Sequence, residues 1–328
     1  MKLTIDRRRL LAGATLALGA AATGRPAAAQ AYPSKPIKFI VPYAPGGNVD
    51  VTVRLIAEPM QRLLGQSVIV ENRPGAGGMV GQEATLNAPA DGYTIVSGAF
   101  GSLFVGPFMA GRPSMLPQFA PVSMLSTVPM VVVVPAESRF KTWAELVAAA
   151  KAKPGGVSLG HAGNGTPNHT DILRIQMNDN VTFAIVPYRG SGLGLNDVVA
   201  GQIDGYVDQL TSSMPYIRSG KVRPLVVIAN ERLRDLPDVP ILSQAGGSKD
   251  FDGGTTIGAL VRVETPQPII DRLNAVIVAA LKEPAVFNRL TELGAVVRPS
   301  TPAEFAAVMK ADEESIGDLA KRGLLKAD

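Results

Sequence analysis

The sequence predicts an α/β fold built on a parallel sheet covered on both faces. Three observations carry this reading. Short β-rich runs alternate with helical stretches along the chain after about residue 30, and strand–helix–strand succession builds parallel sheets. The longest apolar run there, Met130 to Val134, is bounded by Pro129 and Pro135 and reads as a buried strand. Roughly 300 residues bury about three quarters of the unfolded chain's surface, close to the size at which chains divide into domains.

Ile37 to Val41 is the first strand, ended by Pro42. Val49 to Leu64 is helical, with Val53, Ile56, Met60 and Leu63 on one face; it stops at Gly65 and should be kinked by Pro59. Ser67 to Val70 is a strand, then Asn72 to Gly78 a glycine-rich turn, and a helix follows near Val80 to Leu86. Asp91-Gly92 turns the chain into strand Tyr93 to Ser97. In the second series Val131 to Val134 is a strand, and Thr142 caps a helix to Lys151 with Glu145 at capping-box spacing. Strands Val157 to Leu159, Phe183 to Val186, Ile203 to Val207 and Leu225 to Ile228 follow, with helices from about Pro167 and from Leu193 to Ala200. The chain closes with helices near Ile269 to Leu281, Pro284 to Leu293 and Pro302 to Leu319.

Two places rhyme. Val41 runs into Pro45-Gly46-Gly47-Asn48 and a helix; Leu159 runs into Gly163-Asn164-Gly165-Thr166 and a helix. Ligands of open α/β sheets bind at such strand ends. A helix start offers unpaired N–H groups and a positive dipole end, and glycine lets a ligand approach the backbone. Two such turns suggest a cleft with an anion site on each wall.

The first 29 residues read as an export signal. Lys2, Arg7, Arg8 and Arg9 precede the apolar run Leu10 to Ala22, and Ala27-Ala28-Ala29 offers a cleavage site. Asp6-Arg7-Arg8-Arg9-Leu10-Leu11 resembles a twin-arginine signal, and an ordinary Sec signal fits as well. Of 32 Lys and Arg and 28 Asp and Glu, that segment holds five and one, leaving 27 of each. The mature totals therefore give no support for a nucleic-acid partner. The absence of cysteine excludes disulfides, thiol catalysis and Cys-ligated metal.

Enzyme signatures are thin. His161 and His169 have no third His or Cys beside them, and there is no nucleophile elbow or phosphate-binding loop. Gly75 to Gly81 superficially suggests a dinucleotide fingerprint, but its third glycine is one position late. Asp50 either stabilises the first turn of its helix, fixes the glycine loop, or accepts a ligand amine. Asn164 and Thr166 suit a helix cap. Arg189 reads as a solvated surface residue, and Asp208, after the strand ending at Val207, is placed to face a cleft.

Taken together, Tyr32-Pro33-Ser34-Lys35-Pro36-Ile37, Val41-Pro42-Tyr43-Ala44-Pro45-Gly46-Gly47 with Asp50 and Arg54, Val70 to Gly78, Asp91-Gly92-Tyr93-Thr94, Gly163 to Thr166 with His169, Val186 to Gly190 and Leu236 to Pro240 resemble the Bug, or TctC-like, extracytoplasmic receptors of tripartite tricarboxylate transporters. The resemblance covers nearly the whole mature chain. Departures fall at Pro59, at Ile241 to Gln244 and at Glu264-Thr265-Pro266.

The resemblance implies a two-domain, type II periplasmic-binding-protein fold with a cleft between the domains. Domain one would comprise 32–125 and 232–328, and domain two 126–231. It implies a monomeric periplasmic receptor, without cofactor or catalysis, that presents a small carboxylate (organic acid, amino acid or aromatic acid) to the membrane components of a transporter. The loop Ala44 to Gly47 would hold a ligand carboxylate from one side and Asn164, Gly165 and Thr166 would contribute from the other. Tyr43, Phe100, Tyr188 and Asp208 are selectivity candidates, with Gly98 and Asp50 beside the cleft. A periplasmic sensor and an enzyme on the same scaffold are the alternatives.

Overall fold

A computed structural model describes residues 32–99, 101–249 and 254–321. The expected signal segment and Phe100 lie outside the described residues. Every element below belongs to the unit Lys35–Asp328.

The first strand, β1 (Ile37–Val41), is almost wholly buried and pairs in parallel with β2 (Val68–Asn72) and β3 (Thr94–Ala99). Helix α1 (Asn48–Leu64) crosses between β1 and β2, and α2 (Met79–Leu86) between β2 and β3. Val49, Val53, Ile56, Met60 and Leu64 form the buried face of α1. Leu63, expected on that face, is 42% exposed, because the stripe ends on its neighbour Leu64. The helix continues through Pro59 and ends at Gly65, whose left-handed φ of 66° returns its N–H to Gln61 O.

The centre of the sheet differs from expectation. The strand read as Val131 to Val134 is the end of a 17-residue strand, β4 (Phe119–Pro135). Its first part pairs antiparallel with β9 (Gly254–Arg262); its last part pairs antiparallel with β7 (Gly205–Gln209) and β8 (Val222–Ile228). The change of partner falls between adjacent residues: Pro129 faces Gly254, whereas Met130 faces Gln209 and Ile228. Register shifts near Pro121 and Met124 mark bulges in the part paired with β9. Prolines remove ladder donors and are tolerated where pairing is irregular, so Pro121, Pro129 and Pro135 disguised one continuous strand as several.

The sheet path is β2-β1-β3-β9-β4-β7-β5-β6, with β5 (Ser158–His161) and β6 (Ala184–Pro187), so two parallel arms flank an antiparallel centre. Around β5 to β7 run α4 (Trp143–Ala152), α5 (Pro167–Asn178), α6 (Ser191–Val199) and α7 (Leu210–Arg218). Thr142 caps α4 as expected: its Oγ1 accepts Glu145 N–H at 3.2 Å, and Glu145 in turn accepts from Lys141 N–H, one residue before the cap, at 2.7 Å. Helix α3 (Gly101–Met109) was not expected, since Gly106 and Pro107 lie inside it. The return segment carries α8 (Gln267–Lys282), α9 (Pro284–Glu292), β10 (Val296–Val297), which pairs with β4, and α10 (Pro302–Lys321).

Each arm has its own core. Ile40, Val96, Leu103, Phe104, Leu260 and Phe305 pack together in one. Val132, Val134, Trp143, Leu159, Ile172 and Val207 pack in the other. Truncating such a side chain to alanine costs about 2 to 5 kcal/mol. The cores hold the strand ends, and so the loops beyond them, in fixed positions.

Candidate functional site

Both parallel arms end in loops on the same cavity. From the first arm come Tyr43, Gly47, Asn48 and Val49, on the β1–α1 turn; from the second come Ala162, Thr166, Pro167 and Asn168 after β5, Ser191 after β6 and Gln209 at the end of β7. Helices α1, α5, α6 and α7 all begin here, at Gly47, Thr166, Gly190 and Gln209, and none of these four residues caps its helix with a side chain. The reasons are local. Gly47 and Gly190 have no side chain, the Thr166 hydroxyl donates instead to Gly163 O at 2.6 Å, and the Gln209 amide turns to Asn168. First-turn N–H groups lack intrahelical acceptors, so four positive dipole ends converge without a charged side chain among the described lining residues. Such a space favours an anion by orientation of dipoles, not by net charge.

Behind the first wall, the buried Asp50 carboxylate fixes the turn. It accepts Gly46 N–H at 3.0 Å, Arg54 Nε at 3.0 Å and Asn72 Nδ2 at 2.8 Å. Asn72 also donates to Tyr43 O at 3.0 Å. Asp50 therefore holds the glycine loop, and its oxygens are occupied.

Behind the second wall stand two buried imidazoles. His161 Nδ1 accepts Gly163 N–H and His169 Nδ1 accepts Gly165 N–H, each at 3.2 Å, and the rings stack at 4.5 Å with planes 20° apart. Burial, and then the neighbouring His169, push the His161 pKa down to about 3, so that ring is neutral near pH 7 and can accept. On the wall itself the polar side chains satisfy one another. Asn168 Nδ2 donates to Val207 O at 2.9 Å and to Gln209 Oε1 at 3.3 Å, Gln209 Nε2 returns a bond to Asn168 Oδ1 at 3.1 Å, and Ser191 Oγ reaches Gln209 Oε1 at 3.4 Å.

The arms also touch backbone to backbone beside the cavity. Ala44 N–H donates to Arg189 O at 2.9 Å. A Cβ on Gly77 would lie 2.0 Å from Asn164 O, one on Gly165 2.6 Å from Gly106, one on Gly190 2.8 Å from Ala44 N and one on Gly192 2.3 Å from Pro45 O. Only glycine allows approaches this close.

Of the residues singled out from sequence, Tyr43, Gly47 and Thr166 line the cavity. Ala44, Pro45, Asn164 and Gly165 form the seam where the arms meet, with Gly46 alongside, where a Cβ would lie 3.9 Å from Gly192 Cα. Asp50 lies behind the loop. Gly98 sits inside β3, paired with Gly258, and does not line the cavity. The Tyr188 hydroxyl donates to Asp197 at 2.8 Å, and burial ahead of that bond pushes its pKa up to about 12. Asp208 also departs from expectation. It is fully buried within β7, its Oδ2 accepts the hydroxyls of Ser212 at 2.6 Å and Ser213 at 2.7 Å, and burial raises its pKa. The strand runs two residues past Val207, so pleat alternation turns Asp208 away and brings Gln209 to the cavity. Asn48, Asn168, Ser191 and Gln209 were not singled out. Three of them sit in the first turn of a helix that follows a glycine turn, a signal the sequence did carry.

Residues 52–317 match the family model described as the tripartite tricarboxylate transporter family receptor. A protein from the tcbD–tcbE intergenic region of Pseudomonas sp. strain P51 is 38% identical, over 94% of this chain and 92% of that one. The structure of the periplasmic binding protein BugD superposes with a TM-score of 0.85 at 30% identity, covering 90% of this chain and 99% of that one. MatC from Rhodopseudomonas palustris, solved with bound malate, superposes with a TM-score of 0.82 at 31% identity, covering 88% and 99%. The fold is thus the two-domain α/β fold of periplasmic binding proteins, and no helix among the described residues is long and apolar enough to cross a membrane. The chain belongs to the tripartite tricarboxylate transporter receptor family.

Proposed function

We propose that this protein is a monomeric periplasmic receptor that captures a small organic acid and presents it to the membrane components of a tripartite tricarboxylate-type transporter. One observation carries the ligand class: four uncapped helix starts converge on a cavity whose described lining has no charged side chain. A carboxylate gains from every one of those dipoles. An ammonium finds no carboxylate on the described lining, since Asp50 is held by Gly46, Arg54 and Asn72 and Asp208 is buried off it, which favours an organic acid over an amino acid. A relative with the same fold was solved with malate.

In this reading, residues 32–125 with 232–328 form one domain and 126–231 the other, hinged where β4 changes partners at Pro129 and Met130. The ligand bridges the two walls and favours the closed arrangement, the form the transporter recognises. Export uses the basic, apolar leader of residues 1–29, by the Sec or the twin-arginine route.

A thermal-shift screen over mono-, di- and tricarboxylates, amino acids, aromatic acids and uncharged solutes tests this. A carboxylate at 100 times its Kd should add about 2.7 kcal/mol of stability. Stabilisation by an uncharged solute and by no carboxylate refutes the anion reading. Gly47→Leu, which fills the cavity beside Ser191, should abolish binding with the fold retained.

A further inference from the structure

The polar side chains of the second wall are committed to one another, but one on the first wall is not. Asn48, the first residue of α1, lines the cavity and is 2% exposed. Its Oδ1 lies 3.5 Å from Thr52 Oγ1, one turn along the helix, and its Nδ2 has no hydrogen-bond partner. A buried amide left with an unpaired donor is costly and rare. The donor belongs to a residue that lines a space already electropositive from the helix starts.

We propose that Asn48 is a specificity-determining residue whose Nδ2 donates to an oxygen of the bound acid other than those held by the backbone. The inference rests on the carboxylate reading above and narrows it. Backbone N–H groups at the helix starts suffice to surround one carboxylate. A separate neutral donor is matched by a separate acceptor: a second carboxylate, a hydroxyl or a keto oxygen. Val49, beside Asn48 on the lining, offers apolar surface for the carbon chain between them. Small acids carrying two oxygen functions are therefore favoured over simple monocarboxylates of equal length. The selecting group is a side chain of this chain and not a property of the shared backbone turn.

Calorimetric titration of the mature protein with malate, succinate and butyrate, with glycerol as uncharged control, tests this. Wild type should bind malate or succinate at least tenfold more tightly than butyrate. Asn48→Ala should weaken the preferred acid about tenfold and bring its ratio to butyrate within about threefold of unity. The ligand-free melting temperature of that variant should hold or rise, because an unsatisfied buried donor has been removed. Asn48→Asp should weaken the preferred acid about a hundredfold, since its carboxylate would face the ligand's. Asn48→Ala with wild-type affinity and selectivity overturns the inference and leaves the carboxylate reading standing. So does equal loss for all three acids with a lowered melting temperature, the mark of a structural residue. Asn48→Asp that retains malate overturns the donor role, since an acceptor would then suffice. Wild type that binds glycerol, or none of the acids, overturns both readings.

Discussion

The two walls of the cavity repeat one motif, a strand, a glycine turn and a helix start, yet they are held in place by different chemistry. The turn after β1 hangs on a charged network of Asp50, Arg54 and Asn72. The turn after β5 hangs on two neutral, stacked imidazoles and a threonine hydroxyl. Their faces differ too. On the second wall Asn168, Ser191 and Gln209 bond one another, whereas the first retains the Asn48 donor. Backbone geometry is thus what the motif shares, and the residues behind it are free to differ in charge and in titration.

The largest expected effect comes from preventing the walls from meeting. Gly192 is helical, so alanine there should by itself favour α6 by up to about 1 kcal/mol. Its Cβ, however, would lie 2.3 Å from Pro45 O across the seam. Gly192→Ala should therefore weaken ligand binding by at least about a hundredfold, while the ligand-free melting temperature holds because the walls can part. Gly317→Ala, on α10 with nothing within 4 Å of the new atom and an ordinary backbone, is the control and should bind normally. Wild-type affinity in Gly192→Ala would mean that binding does not require the seam.

Breaking the support of one wall at a time comes next. Asp50→Ala strands Arg54 and Asn72 and frees Gly46 N–H. Removing one member of a buried charged pair costs about 3 kcal/mol or more, here somewhat less because Arg54 is half exposed. Chemical denaturation should show this loss together with weakened binding. An unchanged affinity would detach the network from the loop's function.

Much of this was legible in the sequence. The β1–α1 and β5–α5 units showed as strand, glycine turn and helix cap because those signals are local. The 17-residue β4 did not show, because Pro121, Pro129 and Pro135 break the strand pattern and only pairing partners on both arms restore it. Helix α7 was hidden by its polar opening, Thr211-Ser212-Ser213, whose two serines donate to Asp208 Oδ2 and Gln209 O from within the fold. Asp208 was misplaced through a two-residue error in the end of β7, and a strand's period of two makes such an end decide which neighbour faces the ligand. Asp50 was seen correctly as a residue that could fix the loop, but its partner Asn72 lies 22 positions away and only the fold joins them.

The second wall should reveal itself by acid. His161 titrates in the unfolded chain near 6.5 and in the fold at about 3. Above pH 6.5 both states are neutral and the group contributes no pH dependence. As pH falls below 6.5 the unfolded state binds a proton that the fold refuses, so stability declines by up to roughly 1.4 kcal/mol per pH unit until about pH 3. By pH 4.5 the loss should reach about 2 to 3 kcal/mol in urea melts. His161→Asn offers an acceptor to Gly163 N–H without titrating and should flatten that slope. A slope unchanged in the variant would assign the acid sensitivity to other groups.

The smallest effect sharpens the comparison from the other side. Tyr188 stands just past β6, near the second wall, and looks from sequence like a selectivity residue. Its hydroxyl is instead spent on Asp197, at 2.8 Å, and its ring packs edge-on against Tyr206 at 5.9 Å. Tyr188→Phe keeps the ring contact and removes one hydrogen bond, which costs about 1 kcal/mol, or up to about 2 because the acceptor is a carboxylate. Asp197 is left without that donor, so the loss should appear as a lower melting temperature. Affinity for the preferred acid should stay within twofold of wild type, because the hydroxyl serves the loop behind the cavity and not its occupant. A selective loss of binding in Tyr188→Phe, with stability intact, would instead put the phenol on the ligand and make the second wall, like the first, one that reads its occupant with a side chain.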